Sequence, residues 1–455
     1  MGSRSRMLLH SLETQGPHGC HGLVPWWFTL AATHRSDTPL FSDVAPSFPR
    51  REAEFRLVRG MFMGALNRGI AIGGGAMGNR TLVYLDHAAT SWPKPAAVGE
   101  QLSRALTELT ANAGRSGHSP SVESARLVFQ TRECLGERLG VARSEDLAFT
   151  RGCTEGLNLV IKGMLAPGAR VAVSPMEHNS VMRPLVRMAR QHDVHVVTLP
   201  ADPCGRIDME ASRARVQNCD LVVVCHASNV NGVIQDIRQL REVFGGTPLL
   251  VDAAQTAGVL PIDVTRDGVD FLACSAHKGL LGPTGVGACY LSPRHDLPPL
   301  LEGGTGSSSE SLEHPTFRPD RYEAGTLNLH GLAGTLAALK AREGAELLGK
   351  QKQHLTSMLL EGLRKVPGVH IQSPTDGTAI CVSFTIEGLA PNEIAERMET
   401  QYGVIGRPGL QCAPAAHQHL RTFPHGTMRL SPGHENSPDD IEIAIHAVSD
   451  IARCA

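Results

Sequence analysis

The strongest constraint on this chain is a rhythm. Between about residues 80 and 300, short apolar runs alternate with longer runs of helical periodicity. Segments 147–150, 170–174, 194–199, 220–226, 248–252, 270–275 and 285–291 read as strands, and 154–164, 180–191 and 237–244 as helices. Leu157, Val160, Ile161 and Met164 fall on one helical stripe. The run Leu221-Val222-Val223-Val224-Cys225 has no polar alternation, as befits a strand buried on both faces. Repeated β-then-α order predicts an α/β fold with a mostly parallel sheet between helices. After a helical stretch from 331 to 365 the pattern changes to strand 379–386, helix 391–402, strand 426–430 and helix 438–453. That predicts a smaller α+β C-terminal domain.

Composition narrows the function. With 42% hydrophobic and 19% charged residues over 455 positions, the chain can build two or three buried cores. Its 43 basic and 45 acidic residues leave no basic footprint for nucleic acid. No run of 18 apolar residues occurs, so no membrane-spanning helix is expected. Eleven cysteines include no C-x-x-C pair, which reads as buried small hydrophobes in a reducing, cytoplasmic setting; Cys412 is the exception, and no metal site is expected. Residues 1–78 contain no lysine, hold two of the three tryptophans and lack periodicity. They read as a poorly structured extension, a targeting segment or sequence upstream of the true start; the last reading is favoured, with Met61, Met63 and Met77 as candidate starts.

In open α/β sheets ligands sit beyond the carboxyl ends of the strands, so the residues that follow each strand carry the chemistry. After 147–150 comes Arg151-Gly152-Cys153-Thr154-Glu155-Gly156, a glycine and a threonine opening a helix, where free N–H groups and a hydroxyl can cradle a phosphate. Other strands end in Glu177-His178-Asn179-Ser180, His226-Ala227-Ser228-Asn229, Asp252-Ala253-Ala254-Gln255 and Ser275-Ala276-His277-Lys278. An acid directly after an apolar strand needs a cationic partner. A desolvated lysine can condense with an aldehyde. An acid 26 residues before such a lysine, with an anion cradle upstream, is what pyridoxal phosphate demands: a carboxylate for its ring nitrogen, a lysine for its aldehyde and a cup for its phosphate.

These segments, with Tyr84-Leu85-Asp86-His87-Ala88-Ala89-Thr90, resemble the class V aminotransferase-fold enzymes that use pyridoxal 5'-phosphate, fold type I, over residues 82–453. Within that family the likeness is to cysteine desulfurases and selenocysteine lyases. Arg407-Pro408-Gly409-Leu410-Gln411-Cys412-Ala413 is similar to the R-x-G-x-x-C-A segment of their short-loop, second group. The resemblance implies a seven-stranded sheet in a large domain (96–339), a small domain (340–455) and an N-terminal segment (79–95) associated with it. It also implies roles. Lys278 holds the cofactor covalently, Asp252 its ring nitrogen and Gln255 its ring oxygen. His178 stacks and moves protons. Thr154, Ser275 and His277 hold the phosphate, Cys153 lies among the cofactor-binding residues, and Thr326 reaches the phosphate of a partner subunit in a homodimer with shared sites. Arg429, Asn229, Arg407 and Ala88 bind substrate, and Cys412 accepts sulfur as a persulfide for an acceptor protein. The substrate is L-cysteine or L-selenocysteine, the product alanine, and the sulfur is of the kind used in iron–sulfur cluster assembly. An aminotransferase or a C–S lyase remains an alternative on the same scaffold. Two departures from the family pattern stand out: His87 in place of a frequent asparagine, and Cys153 in place of a frequent threonine.

Overall fold

The computed structural model describes residues 82–109, 111–114, 117–341 and 345–455. The expectations for 1–78 lie outside the described residues. The first strand, β1 (Val83–Tyr84), precedes the main sheet, whose strands are β2 (Leu147–Thr150), β3 (Arg170–Val173), β4 (His195–Thr198), β5 (Leu221–Cys225), β6 (Leu249–Asp252), β7 (Phe271–Ser275) and β8 (Gly287–Leu291). They lie in the order β2-β8-β7-β6-β5-β3-β4. Only β8 runs against its neighbours, so the sheet is mostly parallel, as expected. The strand order reverses between β3 and β5, the kind of crevice where such sheets bind ligands.

The unbroken apolar runs now have a cause. Side chains alternate faces along a strand, and here both faces are covered. Val222, Val224, Leu249, Val251, Leu272 and Cys274 enter one core. Leu221, Val223, Leu250, Phe271 and Ala273 enter the core on the other side. The helix Cys153–Met164 packs into the second of these through Leu157, Val160 and Ile161. Gly156 lets it lie close to the sheet, because a Cβ there would come within 3.1 Å of the Ala273 and Cys289 Cβ atoms. That contact sets the helix N-terminus beside the ends of β6 and β7.

The C-terminal part is built on β9 (Val369–Ile371), β10 (Val382–Ile386), β11 (Val404–Ile405), β12 (Arg407–Gly409) and β13 (Thr427–Leu430). Four of these form an antiparallel sheet in the order β12-β13-β10-β9, and β11 pairs in parallel with β1. Helices Pro391–Tyr402 and Pro438–Arg453 cover it, at the bounds expected from periodicity. Gly403, at φ 70°, ends the first; the Ser437/Asp440 capping box opens the second. Val83 and Leu85 join this core with Phe384, Ile394, Met398, Ile441 and Val448. The single stretch expected over 331–365 is two helices, Leu329–Lys340 and Ala345–Leu363. Among the described residues no helix is long and apolar enough to cross a membrane.

Phe384 is fully buried at the centre of the C-terminal core. Phe384→Ala is expected to remove about 3–5 kcal/mol of unfolding free energy, against about 0.5 kcal/mol or less for Val186→Ala on an exposed helix face. Urea unfolding followed by circular dichroism measures both, and equal losses would contradict this placement of the core.

Candidate active site

The floor of the site is made by strand ends. Register places Asp252, the last residue of β6, between Cys225 of β5 and Ala273 of β7. Buried Asp252 accepts the Ala254 N–H at 2.9 Å and the Cys153 thiol at 3.2 Å through Oδ1. The Cys153 N–H in turn donates to Ser275 Oγ at 2.9 Å, tying the helix N-terminus to the end of β7. Lys278 follows in the turn after β7. Burial pushes its ammonium below the ordinary lysine range; Asp252 pulls the other way, while Arg429 and Arg407 push it down further.

One wall comes from the turn after β3. His178 caps the helix Asn179–His192, with Nδ1 accepting the Ser180 N–H at 3.1 Å. That bond fixes the tautomer, so the neutral ring carries its proton on Nε2. Burial holds His178 below the usual histidine range, with Asp252 opposing. Ser180 Oγ bridges His178 Nδ1 at 3.0 Å and Thr154 Oγ1 at 2.8 Å. Beside it, Glu177 is fully buried. Its Oε1 accepts from Ser174 Oγ at 2.5 Å and the Cys225 N–H at 2.7 Å. Burial nevertheless pushes this carboxyl up to about 8, and the Asp252 charge adds to the rise.

The roof comes from the C-terminal sheet. β12 and β13 pair with Arg407 opposite Arg429. Arg429 is 1% exposed; it donates to the Asn229 carbonyl at 2.6 Å and pairs with Asp86 at 2.5 Å. Its Nε–H has no protein acceptor, which leaves one buried guanidinium donor unused. The cysteine loop follows β12. Gln411 and Cys412 adopt left-handed φ values of 42° and 59°. The Gln411 carbonyl accepts from Asn229 Nδ2 at 2.7 Å and the Cys412 carbonyl from the Asn179 N–H at 2.9 Å. The loop backbone is thus fastened to the turns after β3 and β5, while the thiol is exposed. Arg407 Nη2 lies 3.9 Å from Cys412 Sγ.

Most of the residues expected from sequence fall in this one region, some with different duties. Ala88 donates its N–H to Ser431 Oγ at 2.9 Å and accepts from Gln255 Nε2 at 2.9 Å, so both are tied to each other. The Asn229 amide serves the cysteine loop. His277 Nδ1 lies 3.1 Å from Thr90 Oγ1, and burial beside Lys278 and Lys94 pushes this ring down to about 4. Thr326 stands apart: it is exposed and lines a different cavity with Arg132 and Glu323. Sequence reasoning quoted Asp86, Glu177 and Ser180 within motifs but gave them no duty. Asp86 was legible as an acid at a strand end, where desolvation demands a partner; Glu177 and Ser180 act through contacts that no local pattern shows.

The donor set fits pyridoxal phosphate. Asp252 offers a buried carboxylate, Lys278 a desolvated amine, and Thr154, Ser180 and Ser275 three hydroxyls around a helix N-terminus.

The buried Glu177 makes a pH prediction. Its folded pKa lies above the ordinary carboxylate value, so the folded state holds a proton that the unfolded state releases. This contribution to stability is fully present below about pH 4.5 and is lost as pH rises toward about 8. Glu177→Gln removes that titration. The melting temperature of the variant relative to wild type is expected to climb between pH 5.5 and 8.5; a difference that stays flat would contradict a neutral buried acid.

Comparison with known proteins agrees with this geometry. The Aminotransferase class-V family profile matches residues 83–443. A probable cysteine desulfurase of Pyrococcus abyssi is 31% identical over 386 residues, covering 82% of this chain and 94% of that protein. One from Methanothermobacter thermautotrophicus is 31% identical over 384 residues, covering 82% and 95%. The solved cysteine desulfurase of Thermococcus onnurineus superposes with a TM-score of 0.77 at 30% identity, covering 82% of this chain and 95% of that one. An Escherichia coli cysteine desulfurase gives 0.73 at 27% identity, covering 82% and 94%. The chain therefore belongs to the class-V aminotransferase family, among its pyridoxal-phosphate-dependent cysteine desulfurases.

Proposed function

We propose that this chain takes sulfur from L-cysteine onto Cys412 and releases alanine. The observation that carries the reading is the fastening of the cysteine loop, through Asn229 and Asn179, over the strand ends that hold Asp252 and Lys278. When bound, pyridoxal phosphate supplies an electron sink for the pair left on the substrate's Cα. Asp252 would hold the ring nitrogen in its charged form, and Thr154, Ser275 and His277 would secure the phosphate. Arg429, already aligned by Asp86 and the Asn229 carbonyl, clamps the substrate carboxylate. Lys278, whose ammonium is disfavoured by burial, takes the Cα proton as a neutral amine. His178 Nε2 carries the proton on the side away from Ser180 and serves the substrate thiol.

The sulfur step balances on this chain's own residues. Cys412 Sγ attacks the substrate sulfur, forming an S–S bond. The C–S bond breaks with its pair going to carbon, which takes up a proton equal to the one Cys412 gave up; the Cα proton that Lys278 removed is returned, and alanine leaves. Cys412 is left as a persulfide. Arg407, 3.9 Å from the thiol, orients it, and the exposure of Cys412 gives an acceptor protein access. We further infer a homodimer in which Thr326 serves the partner's phosphate, a two-domain division at about residue 340, and a reducing, cytoplasmic setting that keeps the exposed Cys412 thiol free.

Two variants test the division of labour. Lys278→Ala is expected to abolish turnover and the absorbance of lysine-bound cofactor while leaving the far-ultraviolet circular dichroism unchanged. Cys412→Ala is expected to retain that absorbance and bind L-cysteine, with alanine formation falling at least about 100-fold. Assays with L-selenocysteine run in parallel. Full activity of Cys412→Ala on L-cysteine would make the protein a lyase that needs no protein thiol. A loss confined to L-cysteine, with selenocysteine turnover intact, fits the weaker carbon–selenium bond.

A further inference from the structure

A cavity of about 40 Å³ lies against Lys278, lined by His87, Ser91, Gln255, Lys352 and His434 among others. Of the groups assigned to the cofactor it shares Lys278 and Gln255, but not Asp252, His178, Thr154 or Ser275. Its charged and titratable lining is basic throughout. Lys352 donates to the Pro432 carbonyl at 2.6 Å, which uses one of three ammonium protons. Among the described residues no carboxylate lies within ion-pair distance of Lys352. The nearby acids are engaged elsewhere, Asp86 with Arg429, Asp252 with Cys153 and Ala254, and the exposed Glu435 with His434 at 3.4 Å.

His87 is the second observation. It is 7% exposed, and neither ring nitrogen has a protein hydrogen-bond partner. The ring is held edge-on against Tyr84 at 4.9 Å and His434 at 5.9 Å. A Cβ on Gly433 would collide with it, so glycine at that position makes room for this histidine. Burial and the neighbouring Lys352, His434 and Lys94 push His87 down to about 3; only the Tyr84 carbonyl favours its charged form. The ring is therefore neutral, and beyond a loose approach to the Tyr84 carbonyl neither nitrogen meets a partner at hydrogen-bond geometry. A poorly satisfied buried ring N–H is costly, and so is a partly buried ammonium without a counter-charge.

We propose that this cavity binds one compact monovalent anion, of halide or hydrosulfide size, between the Lys352 ammonium and the His87 N–H. The volume has room for a few water-sized bodies, which suits a compact anion. An anion there also faces Lys278, so its occupancy favours the charged form of that amine. The inference stands whether or not the protein is a desulfurase, because it rests on the lining alone.

The test uses full-length holoenzyme at constant ionic strength, with bromide replacing gluconate. Wild type is expected to show a saturable rise in melting temperature of roughly 2–4 °C, and Lys352→Met to lose it. Crystals of wild type soaked in bromide are expected to show an anomalous peak between Lys352 Nζ and His87. This second readout decides the matter should the variant fail to fold. Hydrosulfide added as competitor separates the two sources: loss of the bromide peak assigns hydrosulfide, and its retention assigns halide. An equal thermal response in wild type and variant, or water alone in the cavity of bromide-soaked crystals, would overturn the proposal.

Discussion

Everything in this site turns on where Lys278 is put. A lysine in the turn after β7 loses most of its hydration, and Asp252, with Cys153 beside it, opposes that loss. Two arginines, Arg429 and Arg407, add repulsion from the roof. The result is an amine disposed to lose its proton, which is what covalent attachment to an aldehyde and proton removal from carbon both require. The carboxylate is itself fixed by the Ala254 N–H and the Cys153 thiol, so it stays at the strand end rather than folding onto the lysine. The carbonyl of His277, one residue before Lys278, accepts from Lys94 at 2.7 Å and from Thr90 and Ser91, which fixes the turn that carries the lysine.

The second requirement is that two separately built sheets meet. The parallel sheet contributes Asp252, Lys278 and the turns after β3 and β5; the antiparallel one contributes both arginines and the cysteine loop. They are joined by polar bonds at the meeting line. Arg429 reaches Asp86 and Asn229, and Asn229 reaches back to Gln411. Gln411 is also held by His417, at 2.8 Å, and by the carbonyls of Arg407 and Thr427. Cys412 is therefore an exposed thiol on a fastened backbone. The loop that carries Cys412 is accessible at sulfur but pinned at its carbonyl oxygens.

The sequence revealed the sheet because strands buried on both faces have no choice but to be apolar, and Leu221–Cys225 is the clearest case. Helices with one apolar stripe, such as Pro391–Tyr402, were legible to the residue. β11 and β12 were not, since strands of two or three residues carry no period; they exist because partners elsewhere pair with them. Lys278, Asp252 and His178 stood out because polar groups at the ends of apolar strands are costly and so invite a chemical reason. The duties of Ser180, Glu177 and Asp86 depend on contacts across tens or hundreds of residues. Nor could the sequence show that Thr326 lines a different cavity from Lys278.

The central claim is that sulfur leaves the substrate by way of Cys412. It is tested most directly by a single turnover of holoenzyme with L-cysteine, followed by alkylation and mass spectrometry of the whole chain. The account predicts one persulfide for each alanine formed, mapped to Cys412 and to none of the ten other cysteines. Alanine released with an unmodified Cys412, or a persulfide mapped to another cysteine, would contradict it.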